Sequence, residues 1–265
     1  MASQELRDGA ERYVTAGGVT VIRRREAIEY AGAIEPFFDR LDTRRGAILF
    51  SNYEYPGRYT RQDVAFVDPP LAIASRGRSL WIEALNERGR VLAGFVAKAL
   101  DGCDEVASMS VGETRIDVAV AEPTVAVTEE ERSRIPTVFS VLRRIVSLFR
   151  SPEDGAIGLY GAFGYDLAFQ FDPVAEVQSR DPERRDLVLY LPDELVEVDH
   201  YSASAFVTRY DFGMDGASTE ALERNGPTAP FSPADRIPPR GDHEAGEYSE
   251  ARPQGQGRVS PRQSL

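Results

Sequence analysis

The apolar residues of this chain form short runs, separated by turn residues, from about residue 18 to residue 212. Short apolar or β-branched runs bounded by Gly, Pro, Asn or Asp are typical of β-strands. They predict strands over residues 19–22, 47–50, 64–67, 71–73, 79–85, 157–163, 187–191, 195–198 and 204–210. Few helical patterns lie between these runs, which favours antiparallel pairing over β-α-β units. The pattern predicts an α+β fold: mostly antiparallel β-sheets with a few surface helices.

One segment has the period of an amphipathic helix instead. From Val138 to Phe149 apolar residues recur three or four positions apart, with arginines between them. Upstream, Thr128 and Glu131 have the spacing of a capping box. Pro136 is expected either to kink that helix or to open a second one in its first turn. The pattern predicts a surface helix with one buried stripe.

A turn composition follows the predicted strand at residues 79–85. Residues 86–89 are Asn-Glu-Arg-Gly, and Asn and Gly are frequent in tight turns. The apolar residues Val91 and Leu92 come next. The sequence therefore predicts a β-hairpin at this point.

The composition changes at about residue 213. From there to residue 265 apolar residues are few, and Gly, Pro, Ser, Arg and Glu dominate. Such a segment buries too little apolar surface to offset the entropy lost on ordering. Residues 1–212 are therefore predicted to form a domain, residues 213–250 a linker, and residues 251–265 a distinct tail.

Charge narrows the choice of partners. The chain has 31 Lys and Arg against 43 Asp and Glu, a formal net charge of −12. This balance argues against nucleic acid or an anionic membrane surface as a partner, since both repel an acidic protein. The single cysteine, Cys103, forms no internal disulfide, and no apolar stretch approaches the ~18 residues of a membrane span. A cytoplasmic location is predicted.

Two further features have ordinary structural interpretations. Gly158, Gly161 and Gly164 lie in an apolar, aromatic run, so close packing in a sheet is favoured over a phosphate-binding loop. His200 and His243 stand far apart without the spacing of metal ligands. No catalytic residue and no metal ligand is predicted in this chain.

Three segments carry a resemblance to a known family. Residues 41–68, 158–173 and 235–250 resemble the N-terminal portion of anthranilate synthase component I, in particular the bacterial form fused to its glutamine amidotransferase. The run Ser-Asn-Tyr-Glu-Tyr-Pro-Gly-Arg-Tyr-Thr-Arg within the first segment is specific. The resemblance extends over roughly residues 10–250. The run of residues 51–61 favours this family over aminodeoxychorismate and isochorismate synthases. A fragment of one of those two enzymes is the weaker alternative.

The resemblance implies a function for the whole enzyme and a narrower role for this chain. The family converts chorismate and ammonia from glutamine to anthranilate and pyruvate, a step of tryptophan biosynthesis. Its N-terminal portion forms much of the tryptophan feedback site, so residues 1–212 are expected to be a regulatory domain. The Mg²⁺ ligands and the catalytic acid and base lie in the chorismate-utilising domain. That domain and the amidotransferase are expected to be missing partners, and the chain is expected to be inactive alone and to bind tryptophan as effector.

The effector residues follow from the family's motif. Many relatives have Leu-Leu-Glu-Ser at a strand end, and its last two residues align with Ser51 and Asn52. Ser51 lacks the carboxylate that would pair with the tryptophan ammonium. Glu54 is a candidate substitute, with Arg58 or Arg61 for the ligand's carboxylate, but these assignments do not follow from the motif. The alternative for Ser51 and Asn52 is that they are strand-end polar residues in a turn. The alternative function is a free-standing tryptophan-binding module.

The last residues have a separate explanation. The family has a helix at this point of the chain. When a GC-rich DNA sequence that encodes such a helix is translated with its reading frame shifted by one base, the product matches residues 251–265. They are expected to be out-of-frame translation, from a genuine frameshift or a sequencing error, and residues 213–250 are expected to lead toward the chorismate-utilising domain.

Overall fold

A computed structural model gives the fold of most of the chain. It describes residues 4–5 (backbone), 9–50, 61–122, 135–171, 181 and 184–229. Ser51, Asn52 and the capping box at residues 128–131 lie outside the described residues, as do residues 230–265. The chain divides into a compact unit, Met1–Pro230, and a second unit, Phe231–Leu265, which falls outside the description.

The described elements are strands joined by a few helices. The strands are β1 (Gln4–Glu5), β2 (Glu11–Val14), β3 (Thr20–Ile28), β4 (Gly46–Leu49), β5 (Gln62–Val67), β6 (Leu71–Arg76), β7 (Ser79–Ala84), β8 (Val106–Val111), β9 (Arg115–Val120), β10 (Tyr160–Phe163), β11 (Leu187–Leu191), β12 (Glu194–Asp199), β13 (Ser204–Met214) and β14 (Ala217–Ser218). The helices are α1 (Pro36–Leu41), α2 (Glu87–Leu100), α3 (Val138–Phe149) and a 3₁₀ helix, Tyr165–Gln170. No helix of the described part is long and apolar enough to cross a membrane.

The strands form two sheets whose pairs are all antiparallel. The first sheet has the order β1-β2-β3-β13-β12-β5-β4, and β14 pairs with β13. The second has the order β10-β11-β6-β7-β9-β8. The predicted α+β class is confirmed. Strands β1, β2, β8, β9 and β14 were not predicted. Strand β8 carries mainly small, exposed residues, whereas β9 alternates Ile116, Val118 and Val120 with polar or small residues, a signal that the prediction overlooked.

The amphipathic segment forms α3 as predicted. Its apolar stripe is buried, from Val138 to Phe149. Thr137 is the N-cap, and its backbone N–H donates to the Ser140 hydroxyl at 3.2 Å. Pro136 therefore lies immediately before the cap, which neither of the two predicted placements describes.

The hairpin predicted at residues 86–89 is wrong, because α2 begins there. Asn86 is its N-cap, and the Asn86 side-chain oxygen accepts the Gly89 backbone N–H at 2.9 Å. Asn is favoured at N-caps as well as in turns, so composition did not separate the two. A Cβ on Gly89 would lie 2.0 Å from the Pro70 carbonyl oxygen, so this first turn needs a glycine.

Two apolar cores share the first sheet. The main core contains side chains from both sheets and from α2 and α3. The smaller core lies on the other face of the first sheet, against α1. In β5, Val64 and Phe66 pack on the main core while Ala65 and Val67 belong to the smaller one. Residues 213–229, which the sequence analysis assigned to a linker, include the end of β13, β14 and the fully buried Thr219.

Candidate functional site

A cleft of about 410 Å³ opens beside the main core, on the inner face of the first sheet. Four strands of that sheet and the loop before β10 supply its walls. The residues that line it include Arg23, Arg25, Gln62, Val64, Asp154, Tyr160, Glu197, Thr208 and Tyr210. Its volume is in the range of sites for small ligands.

Strand register brings these polar side chains together. Tyr210 pairs with Arg23, and Thr208 pairs with Arg25. Glu197 pairs with Val64 across the next strand boundary. Directly paired residues project to the same face of a sheet. The cleft is therefore a polar continuation of the face whose other positions form the apolar core.

One end of the cleft is a satisfied cluster around Asp154. Its carboxylate accepts a hydrogen bond from the Tyr13 hydroxyl at 3.0 Å, and Arg23 lies 3.1 Å away. Burial and the Asp154 charge raise the pKa of Tyr13, so this phenol stays a proton donor. The Ala156 backbone N–H also donates to Asp154, at 2.8 Å. This cluster fixes the wall of the cleft.

Tyr210 differs from its neighbours. Its side chain is fully buried, and its hydroxyl forms no hydrogen bond of good geometry within the described residues, although the Asp154 carboxylate lies near it. Burial and the negative charge of Asp154 raise the pKa of Tyr210, so the group is a neutral phenol. A buried hydroxyl without a partner costs free energy.

Two charged side chains on the cleft wall have no counter-ion in the described part of the chain. Glu197 accepts a hydrogen bond from the Thr208 hydroxyl at 3.1 Å but forms no ion pair there. The Arg25 guanidinium lies over the Phe206 ring, 3.9 Å from its centroid, and no described carboxylate pairs with it. Burial, followed by the charges of Glu197 and Asp154, raises the pKa of Tyr160 to about 12. The wall thus presents an unpaired anion, an unpaired cation and aromatic surface.

The candidate effector residues relate to this cleft in different ways. Ser51 and Asn52 lie outside the described residues, but Leu49, at the end of β4, pairs with the cleft residue Val64. Arg61 is exposed and lies 3.5 Å from Asp199, so it is not part of the cleft wall. Glu54 and Arg58 also fall outside the described residues.

The sequence analysis missed Arg23, Arg25, Glu197 and Tyr210. A signal for Glu197 exists, because a lone acid interrupts the apolar run of β12. The predicted close packing of glycines is confirmed for Gly161 and Gly164, where a Cβ would lie 2.1 Å from the Val188 carbonyl oxygen and 2.9 Å from that of Asp186. It is wrong for Gly158, whose Cβ would have no neighbour within 4 Å.

His200 lies on the opposite side of the first sheet from the cleft. It contacts the Tyr30 hydroxyl at 2.9 Å and the Asp63 carboxylate at 2.7 Å. Among the described residues no group of three or more His, Cys, Asp or Glu is arranged to hold a metal ion.

Comparison with known proteins gives a consistent set of relatives. The chain is 46% identical to an anthranilate synthase of Azospirillum brasilense over 237 residues, 89% of this chain and 32% of that protein. It is 29% identical over 184 residues to anthranilate synthase component 1 of Vibrio parahaemolyticus, 69% of this chain and 33% of that protein.

A pyocyanine-specific anthranilate synthase component 1 of Pseudomonas aeruginosa is 27% identical over 206 residues, 75% of this chain and 37% of that protein. No protein-family model matches the chain. The chain spans about a third of the length of these relatives. It is thus homologous to anthranilate synthase component 1, the family whose motifs its sequence resembles.

Proposed function

We propose that this chain is the N-terminal, tryptophan-responsive portion of an anthranilate synthase, and that the polar cleft is part of its feedback site. The observation that carries the proposal is the unpaired charge on the cleft wall beside the end of β4, the strand that leads to Ser51 and Asn52. The similarity to anthranilate synthases supplies the metabolic context.

The cleft supplies the chemistry that tryptophan requires. Glu197 would pair with the ligand's ammonium, in place of the carboxylate that Ser51 lacks. Arg25 would pair with the ligand's carboxylate, and the partly exposed ring of Tyr160 would contact the indole. Each charge of a zwitterion would then meet an opposite charge, which a partly buried ligand needs.

The synthesis of anthranilate from chorismate is assigned to the part of the relatives that this chain does not cover. The chorismate-utilising and glutamine amidotransferase domains are therefore the proposed partners, and the cytoplasm the proposed location. We expect the chain alone to form no anthranilate from chorismate, ammonia and Mg²⁺. Turnover above a control without protein would overturn this assignment.

Calorimetry tests the regulatory assignment directly. L-tryptophan titrated into the 265-residue chain should bind at one site with a micromolar dissociation constant. The ligand should also raise the thermal midpoint, because it binds only the folded chain. Absence of both signals at millimolar tryptophan would contradict the proposal. An equal response to L-alanine would contradict the indole contacts.

A further inference from the structure

Residues 219–229, here called the strap, follow β14 without regular structure. Polar contacts hold the strap in place, because most of its side chains are exposed. At its start, Thr219 is fully buried, and its backbone N–H donates to the Phe212 carbonyl at 2.9 Å. The Thr219 hydroxyl accepts the Phe212 N–H at 2.9 Å in return. The docking of the strap therefore depends on a small number of hydrogen bonds.

The first anchor of the strap is Arg88, whose side chain is fully buried. Its guanidinium donates to the carbonyls of Thr219 and Leu222, at 2.5 and 3.1 Å. It also donates to the Tyr210 carbonyl at 2.7 Å. Within the strap, Arg224 donates to the same Tyr210 carbonyl at 2.8 Å. The strap is thus bonded to the backbone of a residue that lines the cleft.

The second anchor is Arg44, just before β4. Its guanidinium donates to the Gly226 carbonyl at 2.8 Å and forms a fork on the Asp68 carboxylate at 2.9 and 2.6 Å. The Ala229 backbone N–H donates to the Thr43 carbonyl at 2.7 Å. Asp68 has a φ of 53°, a left-handed conformation that is uncommon outside glycine. The Arg44 fork helps to hold this conformation.

Neither anchor lines the cleft, but each is attached to a strand at or next to the cleft wall. Arg88 and Arg224 hold the backbone of β13 at Tyr210, while Arg44 precedes β4, whose Leu49 pairs with the cleft residue Val64. A ligand that draws these walls together would change the distance that the strap spans. The strap would then shift or lose an anchor, since its bonds are short and directional.

We propose that docking of the strap is coupled to ligand occupancy of the cleft, with Arg44 as the positioning residue. The inference rests on the proposed function, because the ligand is the one proposed there. The strap is a two-state element, docked or released, and it leads into the chain beyond residue 229. By linkage, releasing the strap must change ligand affinity by the same factor as the ligand changes strap docking.

Hydrogen exchange on the ligand-free 265-residue chain is the first test. Arg44→Ala should speed exchange of the Ala229 amide and of the β4–β5 amides by about tenfold, as expected from losing bonds to a charged group. Exchange in β6 and β7 should not change. The matched control is Arg45→Ala, whose side chain comes no closer than 3.8 Å to its partner Glu83. Unchanged β4–β5 exchange in Arg44→Ala would overturn the coupling.

The second arm adds L-tryptophan. Arg44→Ala should weaken binding by about tenfold although Arg44 is not part of the cleft, whereas Arg44→Lys, which keeps one charged donor, should fall between. Equal affinity of wild type and Arg44→Ala would overturn the coupling and leave the proposed function intact. If the wild-type chain binds no tryptophan, the proposed function fails and the coupling, which needs the same ligand, fails with it.

Discussion

Phe212 and Tyr210 occupy neighbouring positions on one face of β13 yet meet different surroundings. The Phe212 ring is 1% exposed and packs edge-on against Phe149, with ring centroids 5.8 Å apart. Tyr210 is as deeply buried, but its hydroxyl lacks a partner in the described part of the chain. The fold requires the first arrangement, whereas the second costs stability. The comparison separates the apolar core around Phe212 from the polar side of the same face, where the cleft lies.

The largest expected effect on stability is that of a substitution at Phe212. Phe212→Ala should lower the free energy of unfolding by about 4 kcal/mol, because it removes a large ring from a closed core and leaves a cavity. The matched control is Phe163→Ala, at a side chain that is 56% exposed, which should cost less than about 1 kcal/mol. Urea unfolding measures both. Equal losses would contradict the contrast between core and surface.

Substitution of Arg88 tests whether a buried polar side chain can have a purely structural role. It is fully buried, but Asp193 and Asp211 satisfy it. Arg88→Met should lower stability by about 3 kcal/mol, because two carboxylates lose their buried cation. Arg90→Met, in the same helix but exposed, should change stability by less than about 0.5 kcal/mol. A loss below about 1 kcal/mol for Arg88→Met would show that this cluster is not structural.

Tyr210→Phe should not lower the free energy of unfolding, in contrast to the two substitutions above. Removing a buried hydroxyl without a partner should leave stability unchanged or raise it by up to about 1 kcal/mol. The same variant should leave tryptophan affinity unchanged, because the buried hydroxyl has no surface open to the cleft. Tyr13→Phe is the control in which a satisfied hydroxyl is lost, and it should destabilise. A destabilised Tyr210→Phe would mean that the hydroxyl already has a structural partner.

The smallest expected effect is the pH dependence of stability that a surface ion pair contributes. The hydrogen bond from Arg144 lowers the pKa of Glu105 in the folded chain. This pair therefore stabilises the fold above the unfolded carboxyl pKa of about 4.3, and the gain is lost as pH falls through the lower folded pKa. Arg144→Ala should unfold slightly more easily than wild type at pH 7 and equally at pH 2.5. A difference that persists at pH 2.5 would exclude this cause. Arg143→Ala is the neighbouring control.

Sequence patterns sufficed for the parts of the fold that local chemistry determines. The buried stripe of α3 and the apolar run of β11 each specify an element and its buried face without reference to the rest of the chain. The start of α2 failed because Asn86 suits a turn and a helix cap equally. Local preference had no means of separating the two.

The cleft was beyond sequence reasoning for a different reason. Arg23 and Tyr210 meet only through the pairing of β3 with β13, strands far apart in the chain. Glu197 reaches the same cleft through a second strand pairing, that of β12 with β5. The family motif led to the strand end beside this cleft, but the charges that complete it come from strands that carry no motif.

The most direct test of the account is the ratio of tryptophan dissociation constants between Glu197→Gln and wild type, measured by calorimetry. Glu194→Gln is the matched control, because Glu194 lies on the same strand with its side chain paired to Arg209 at 2.6 Å. The account predicts an increase of at least about tenfold for Glu197→Gln, as expected for losing a charge-assisted contact to the ammonium, and no change for Glu194→Gln. Equal affinity of Glu197→Gln and wild type would contradict the assignment of the cleft as the tryptophan site.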